Sequence, residues 1–226
     1  MENSHSTRFS FTKTLQSYKD FNRVVKTMVV VDFFTNSAFG SFAPIFAVFV
    51  TNQIGGGSVE VAGFATASYW IVKSVFQLPI ANILDRRNGE VLAFWAMFWG
   101  YFLESFVPLL YIFVRTPWEL YGVQALYGFL MAWAVPSWYG IFTRHVDKWR
   151  ISFEWSLESV ISVGLATAAA AALGGYLADR YGFDILFVAA SVISLAISLL
   201  FLSIRKDMLK WSPPQAVTPE RPVDKV

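Results

Sequence analysis

Long apolar runs alternate along the chain with short charged joints. Six runs stand out, at residues 27–50, 59–84, 91–114, 117–142, 153–178 and 183–204. Each holds at least the roughly 20 residues that carry a helix across a hydrocarbon core about 30 Å thick. The polar and small residues inside the runs recur at helical spacing. Asp32, Asn36 and Gly40 fall at every fourth position of the first run, with Ala43 and Ala47 continuing the stripe. Thr66, Tyr69, Lys73, Gln77 and Ala81 share one face of the second. Gln124, Gly128, Ala132, Pro136 and Gly140 form a small-residue stripe in the fourth, and Gly164, Ala168 and Ala172 give the fifth a face for close helix contact. The expected class is an all-α membrane fold of six transmembrane helices.

The joints carry their own signals. Thr116-Pro117-Trp118-Glu119 reads as a capping box with proline at the first helical position. Ser58, after Gly55-Gly56-Gly57, reads as an N-cap, and Pro44 as a kink in the first helix. Two hairpins resemble each other: Leu84-Asp85-Arg86-Arg87-Asn88-Gly89-Glu90 and Leu177-Ala178-Asp179-Arg180-Tyr181-Gly182-Phe183. Their aspartates are 94 positions apart (179 − 85), and the same shift carries the first three runs onto the last three. The chain therefore reads as two copies of a three-helix unit. Three is odd, so the copies enter the membrane from opposite sides as inverted repeats.

Residues 1–26 form a polar, basic N-terminal segment in which Leu15, Tyr18, Phe21 and Val25 keep helical spacing. This fits a short interfacial helix or a frayed lead-in. The segment is too long and too charged for a signal peptide, so the first run reads as a retained span. From residue 205 to 226 the chain is polar, and Pro213, Pro214, Pro219 and Pro222 mark a disordered cytoplasmic tail.

Composition sharpens the class. Of 226 residues, 55% are hydrophobic and only 15% charged, against roughly 25% in a soluble domain. The 18 Lys and Arg are unevenly placed. Arg8, Lys13, Lys19, Arg23 and Lys26 precede the first run. Arg86, Arg87, Arg144, Lys148 and Arg150 fill two joints on the same side, and Arg205, Lys206, Lys210, Arg221 and Lys225 follow the last run. Only Arg115 and Arg180 lie on the other side. The positive-inside rule then puts both termini in the cytoplasm of a multi-pass inner or plasma membrane protein. A net charge of +2 gives no basic patch for nucleic acid. No cysteine and two histidines leave no disulfide and no expected metal site or cofactor. Enzyme motifs are missing as well, with no Gly-x-Ser-x-Gly elbow, His-Glu-x-x-His pair or phosphate loop.

Ionisable residues inside spans are the strongest functional candidates, because each costs at least about 2.5–3.5 kcal/mol at the midplane without a partner or a role. Lys73 and Glu104 sit at similar depth on helices joined by a tight turn, which predicts an ion pair between them. Asp32 lies shallower, with Lys73 its depth-compatible cation. Asp32, Lys73 and Glu104 read either as a polar network that binds solute or relays a proton, or as a structural pair beside a solvated Asp32. The Asp32–Asn36–Gly40 stripe lines an aqueous cavity or packs on a neighbouring helix. Glu154 and Glu158 read as interface partners of Arg150 or Lys148, and His145 as a solvated loop residue. Trp70, Trp133 and Trp138 read as packing residues rather than an aromatic solute platform.

With these residues in view, the chain resembles the N-terminal half of a major facilitator superfamily transporter over about residues 20–205. That family's loop between helices 2 and 3 reads Gly-x-x-x-Asp-Arg-x-Gly-Arg-Arg. Asp85 and Arg86 match, Ala81 stands for the first glycine, and Gly89 comes one place late, ahead of Glu90. The resemblance implies that Asp85, Arg86, Arg87 and Gly89 gate the inner face by latching onto a second half. The family's fourth-helix pattern is similar to Leu120-x-x-x-Gln124-x-x-Tyr127-Gly128, with Gln124 in place of an arginine. Its fifth-helix antiporter signature is echoed at Gly164, with Ala168 and Ala169 where the family has Gly-Pro.

The resemblance implies a secondary active transporter of a small solute that works by alternating access. Asp32, Asn36, Tyr69, Lys73, Gln77, Glu104 and Gln124 would form the solute or coupling-ion site. Family members usually have twelve spans. A six-span unit would work in the lipid bilayer as a parallel homodimer or with a separate C-terminal half. The competing class is a non-transporting membrane subunit or a truncated, inactive half-transporter.

Overall fold

Prolines and capping residues set where the helices start and break. A computed structural model describes residues 22–86 and 90–209, and these fold into six helical rods with no strand among them.

Rod α1 (Arg23–Gln53) opens on Asn22, whose side chain accepts the Val24 N–H at 2.9 Å. Pro44 has no N–H, and its ring crowds the carbonyl four residues back, at Gly40. The first helix ends there, turns through a 3-10 segment at Ala43–Ile45 and resumes at Phe46. Rod α2 is Val59–Arg86, and the Ser58 hydroxyl accepts the Val61 N–H at its start. Rod α3 (Glu90–Phe113) repeats the proline device: Pro108 lies four residues after Glu104, and the helix breaks just there. Rod α4 (Pro117–His145) begins with the Thr116/Glu119 capping box, both bonds of which form. Rod α5 (Ile151–Tyr181) widens into a π-helical stretch at Ser159–Leu165. Gly182, at φ +85°, makes the tight joint into rod α6 (Phe183–Met208).

The last helix continues to Leu209, past residue 204, where the polar tail was expected to begin. Its apolar face explains the extension, since Phe201, Ile204 and Met208 are fully buried. The basic segment before residue 22 and the proline-rich tail lie outside the described residues.

Five rods are long and apolar enough to cross a membrane; the exception is α2, whose Tyr69–Lys73–Gln77 stripe dilutes its apolar content. The extensive helix contacts are α2–α4, α3–α4, α1–α5, α1–α6 and α3–α6. Close approach of α4 to α2 depends on Gly128, where any Cβ would run into the Tyr69 carbonyl. Ser162 ties α5 to α1 by donating to the Val29 carbonyl at 3.1 Å.

Apolar burial divides into two cores. One packs Met28, Phe94, Met97, Phe142, Phe201 and Met208 at one end of the bundle. The other packs Phe42, Phe49, Val50, Tyr111, Leu120 and Phe187 at the opposite end. The polar residues of the spans lie between them.

His145 corrects its sequence reading as a solvated residue. It is buried in the last turn of α4, 2.9 Å from the Ile141 carbonyl and 3.8 Å from Glu90. Arg144 also meets Glu90, at 3.1 Å. Glu90 starts α3 beside the end of α4, where both residues meet it.

Candidate functional site

A cavity of about 440 Å³ opens between the two apolar cores and takes residues from α1 to α5. Lys73 sits near the middle of α2, about 20 Å from either end at the helical rise. Glu104 is about 21 Å from the start of α3. Both face this cavity.

From α1 come Asp32 and, one turn on, Asn36. The Asn36 amide donates to Asp32 Oδ2 at 2.8 Å, which is the i,i+4 reach of a helix face. The Tyr101 hydroxyl of α3 lies 3.4 Å from Asp32 Oδ1. Glu158 of α5 lies beside the Asp32 carboxyl in the same lining. Glu158 immediately precedes the π-helical stretch, and Ser159 and Val163 of that stretch also line the cavity.

From α2 come Tyr69 and Lys73. The Lys73 ammonium rests over the Trp70 ring, 4.8 Å from its centroid, and lies 5.5 Å from that of Tyr69. Glu104, the last residue before the Pro108 break, is 2% exposed, and its Oε2 has no hydrogen-bond partner among the described residues. Its neighbour is Tyr127 of α4. Tyr127 packs against Tyr69 at 4.5 Å and stacks on Phe39 at 5.2 Å. Trp138 and Trp155 also line the cavity, their ring centroids 5.8 Å apart.

Of the residues singled out in the sequence, Asp32, Asn36, Tyr69, Lys73 and Glu104 therefore share one cavity. Gln77 and Gln124 are not in its lining. Gln77 is one turn beyond Lys73 and half-buried, while Gln124 is buried one turn before the Gly128 contact with α2. Asp85 and Arg86 are exposed at the end of α2, where Arg86 donates to Asn82 at 3.1 Å. Arg87 and Gly89 lie outside the described residues.

Two sequence expectations are corrected. No ion pair joins Lys73 to Glu104. The short α2–α3 turn does not pack those rods together, because α4 lies against both and α2–α3 is not among the extensive contacts. Glu158 belongs to the cavity beside Asp32, where the sequence placed it with the basic joint. Tyr101, Tyr127, Trp138 and Trp155 are among the other cavity residues that the sequence reading did not assign to the site. The signal available was spacing: Trp155 and Glu158 are one turn apart, as are Tyr101 and Glu104.

Among the described residues no group of His, Cys, Asp and Glu could hold a metal ion. The cavity instead offers carboxyls, one ammonium, hydroxyls and ring faces, which suit a reversibly held small molecule.

A comparison with curated proteins finds no match. The family model described as Major Facilitator Superfamily matches residues 28–225 and so includes every residue that lines the cavity. That family is one of membrane transport proteins, not enzymes. Six packed rods, five of them apolar enough to cross a bilayer, and a match over most of the chain lead to one conclusion: this chain belongs to the Major Facilitator Superfamily.

Proposed function

We propose that the chain acts as the N-terminal half of a secondary active transporter that moves a small solute by alternating access. The observation that carries this reading is the gathering of Asp32, Lys73, Glu104 and Glu158 into one cavity between two apolar cores. Charges at that depth are costly unless they are used, and a midplane polar cavity is where transporters bind their cargo.

The inverted-repeat organisation is part of the proposal and has support in the packing. Exchanging α1 with α4, α2 with α5 and α3 with α6 turns the α2–α4 contact into α5–α1 and the α3–α4 contact into α6–α1. The α3–α6 contact maps onto itself. Under this reading both termini are cytoplasmic, as the Lys and Arg bias indicates. Asp85, Arg86, Arg87 and Gly89 then lie on the inner face as a latch. The cavity is completed by a second half, either a parallel copy of this chain or a separate C-terminal half. Large exposed apolar side chains on α2, such as Ile71, Val75 and Leu78, offer a surface that lipid or that second half would cover.

The test is a counterflow screen of small solutes in proteoliposomes, with and without a proton gradient, run beside crosslinking to identify the second half. The expected result is saturable flux that Glu104→Gln and Lys73→Met each reduce. Full flux in both variants, or no flux for any solute from a crosslinked, folded assembly, rejects the transporter reading in favour of a non-transporting subunit.

A further inference from the structure

Resting on the reading of this cavity as the solute site, we infer that its solute is an organic cation with a flat, aromatic-sized apolar body. Three acidic side chains, Asp32, Glu104 and Glu158, line the cavity against one lysine, Lys73. A cationic solute complements that lining better than an anionic one.

An acidic cluster alone would not define a ligand, but two further observations do. Glu104 is almost wholly buried, and its Oε2 lacks any hydrogen-bond partner among the described residues while facing the cavity. A buried carboxylate oxygen in that condition calls for a donor, best a charged one. The internal candidate, Lys73, is instead drawn onto the rings of Trp70 and Tyr69. The walls supply the rest. Tyr69, Tyr127 and Phe39 form one packed series in the lining, and Trp138 and Trp155 form another pair there. Ring faces attract cations as well as flat apolar bodies. At about 440 Å³ the space is also within the range of small-molecule sites, and far larger than a bare metal ion needs.

The experiment compares three probes with the same phenyl-ethyl body: phenethylamine (cationic at neutral pH), 2-phenylethanol and 3-phenylpropionate. Binding to the full chain in mild detergent is read by quenching of tryptophan fluorescence, without any need for transport. Saturable quenching is expected from phenethylamine only. Glu104→Gln should weaken it about tenfold or more, the scale of one lost charge-assisted hydrogen bond. Glu104→Asp, which keeps the charge, should retain part of the binding and guards against a folding artefact. Lys73→Met should tighten binding severalfold, because it removes the competing cation. Equal binding of the alcohol or the carboxylate overturns the inference, as does phenethylamine binding that ignores Glu104→Gln. Because the readout is binding, flux of some other solute without phenethylamine binding defeats this inference and leaves the transporter reading standing. Phenethylamine binding without any flux does the reverse.

Discussion

The molecule holds two sets of buried charge that behave differently. Where α3 starts and α4 ends, Glu90 meets Arg144 at 3.1 Å and lies 3.8 Å from His145. At mid-depth, Asp32, Glu104, Glu158 and Lys73 share a cavity, yet no ion pair forms among them. In the first set Glu90 and Arg144 are matched in sign and close in space, and they fasten two helix ends together. The second is unmatched, with a carboxyl contact and an ammonium on ring faces. Charge that only holds a fold together is normally paired, because breaking a buried pair costs about 3–5 kcal/mol. Charge left unpaired in a cavity is available to something that comes and goes.

The largest expected effect that tests this contrast is on function at the mid-depth set. Glu104→Gln should lower flux of any transported solute by about tenfold or more while shifting the melting temperature little, since no internal bond to Oε2 is lost. Counterflow and a thermal melt on the same preparation check it. Glu90→Gln should do the opposite. Arg144 is partly exposed, which lowers the value of the pair, so the loss should be about 1–2 kcal/mol, seen as a melting temperature lower by several degrees with flux nearly intact. Ser162→Ala removes the only described side-chain bond from the π-helical stretch to α1 and should cost about 1 kcal/mol. It should also weaken solute binding modestly, because Glu158 sits at the head of that stretch. The smallest effect is expected of Thr116→Ala, about 1 kcal/mol or less through loss of the capping box, with no change in binding. If Thr116→Ala and Glu104→Gln impair flux equally, the distinction between holding and working charges fails.

Much of the scaffold was legible before any coordinates. Apolar runs marked the rods, and the caps at Ser58 and Thr116 are found as their sequences indicate, because capping is local chemistry within four residues. The fourfold spacing of Asp32 and Asn36 was also local, and the two bond to each other. What could not be read was which rod lies against which. The Lys73–Glu104 pair was inferred from a short loop, and short loops do not make their helices pack when a third rod comes between. Glu158 was assigned by its neighbours in sequence, Arg150 and Lys148. Its place beside Asp32 depends on α1 packing against α5, which no local pattern shows. His145 was misjudged for the same reason, since its contact with Glu90 comes from another helix.

The most direct test uses a feature of the sequence itself. The chain has no cysteine, so a single introduced thiol reports its own surroundings. Asn36→Cys, in the cavity, and Val192→Cys, on the outer apolar face of α6, can each be exposed to a membrane-impermeant thiol reagent from either side of the bilayer. The account predicts that Asn36→Cys is labelled from both sides, that bound solute slows the labelling, and that Val192→Cys stays unreacted. An Asn36→Cys that is inert from both sides, or open to one side only in every condition, would contradict it.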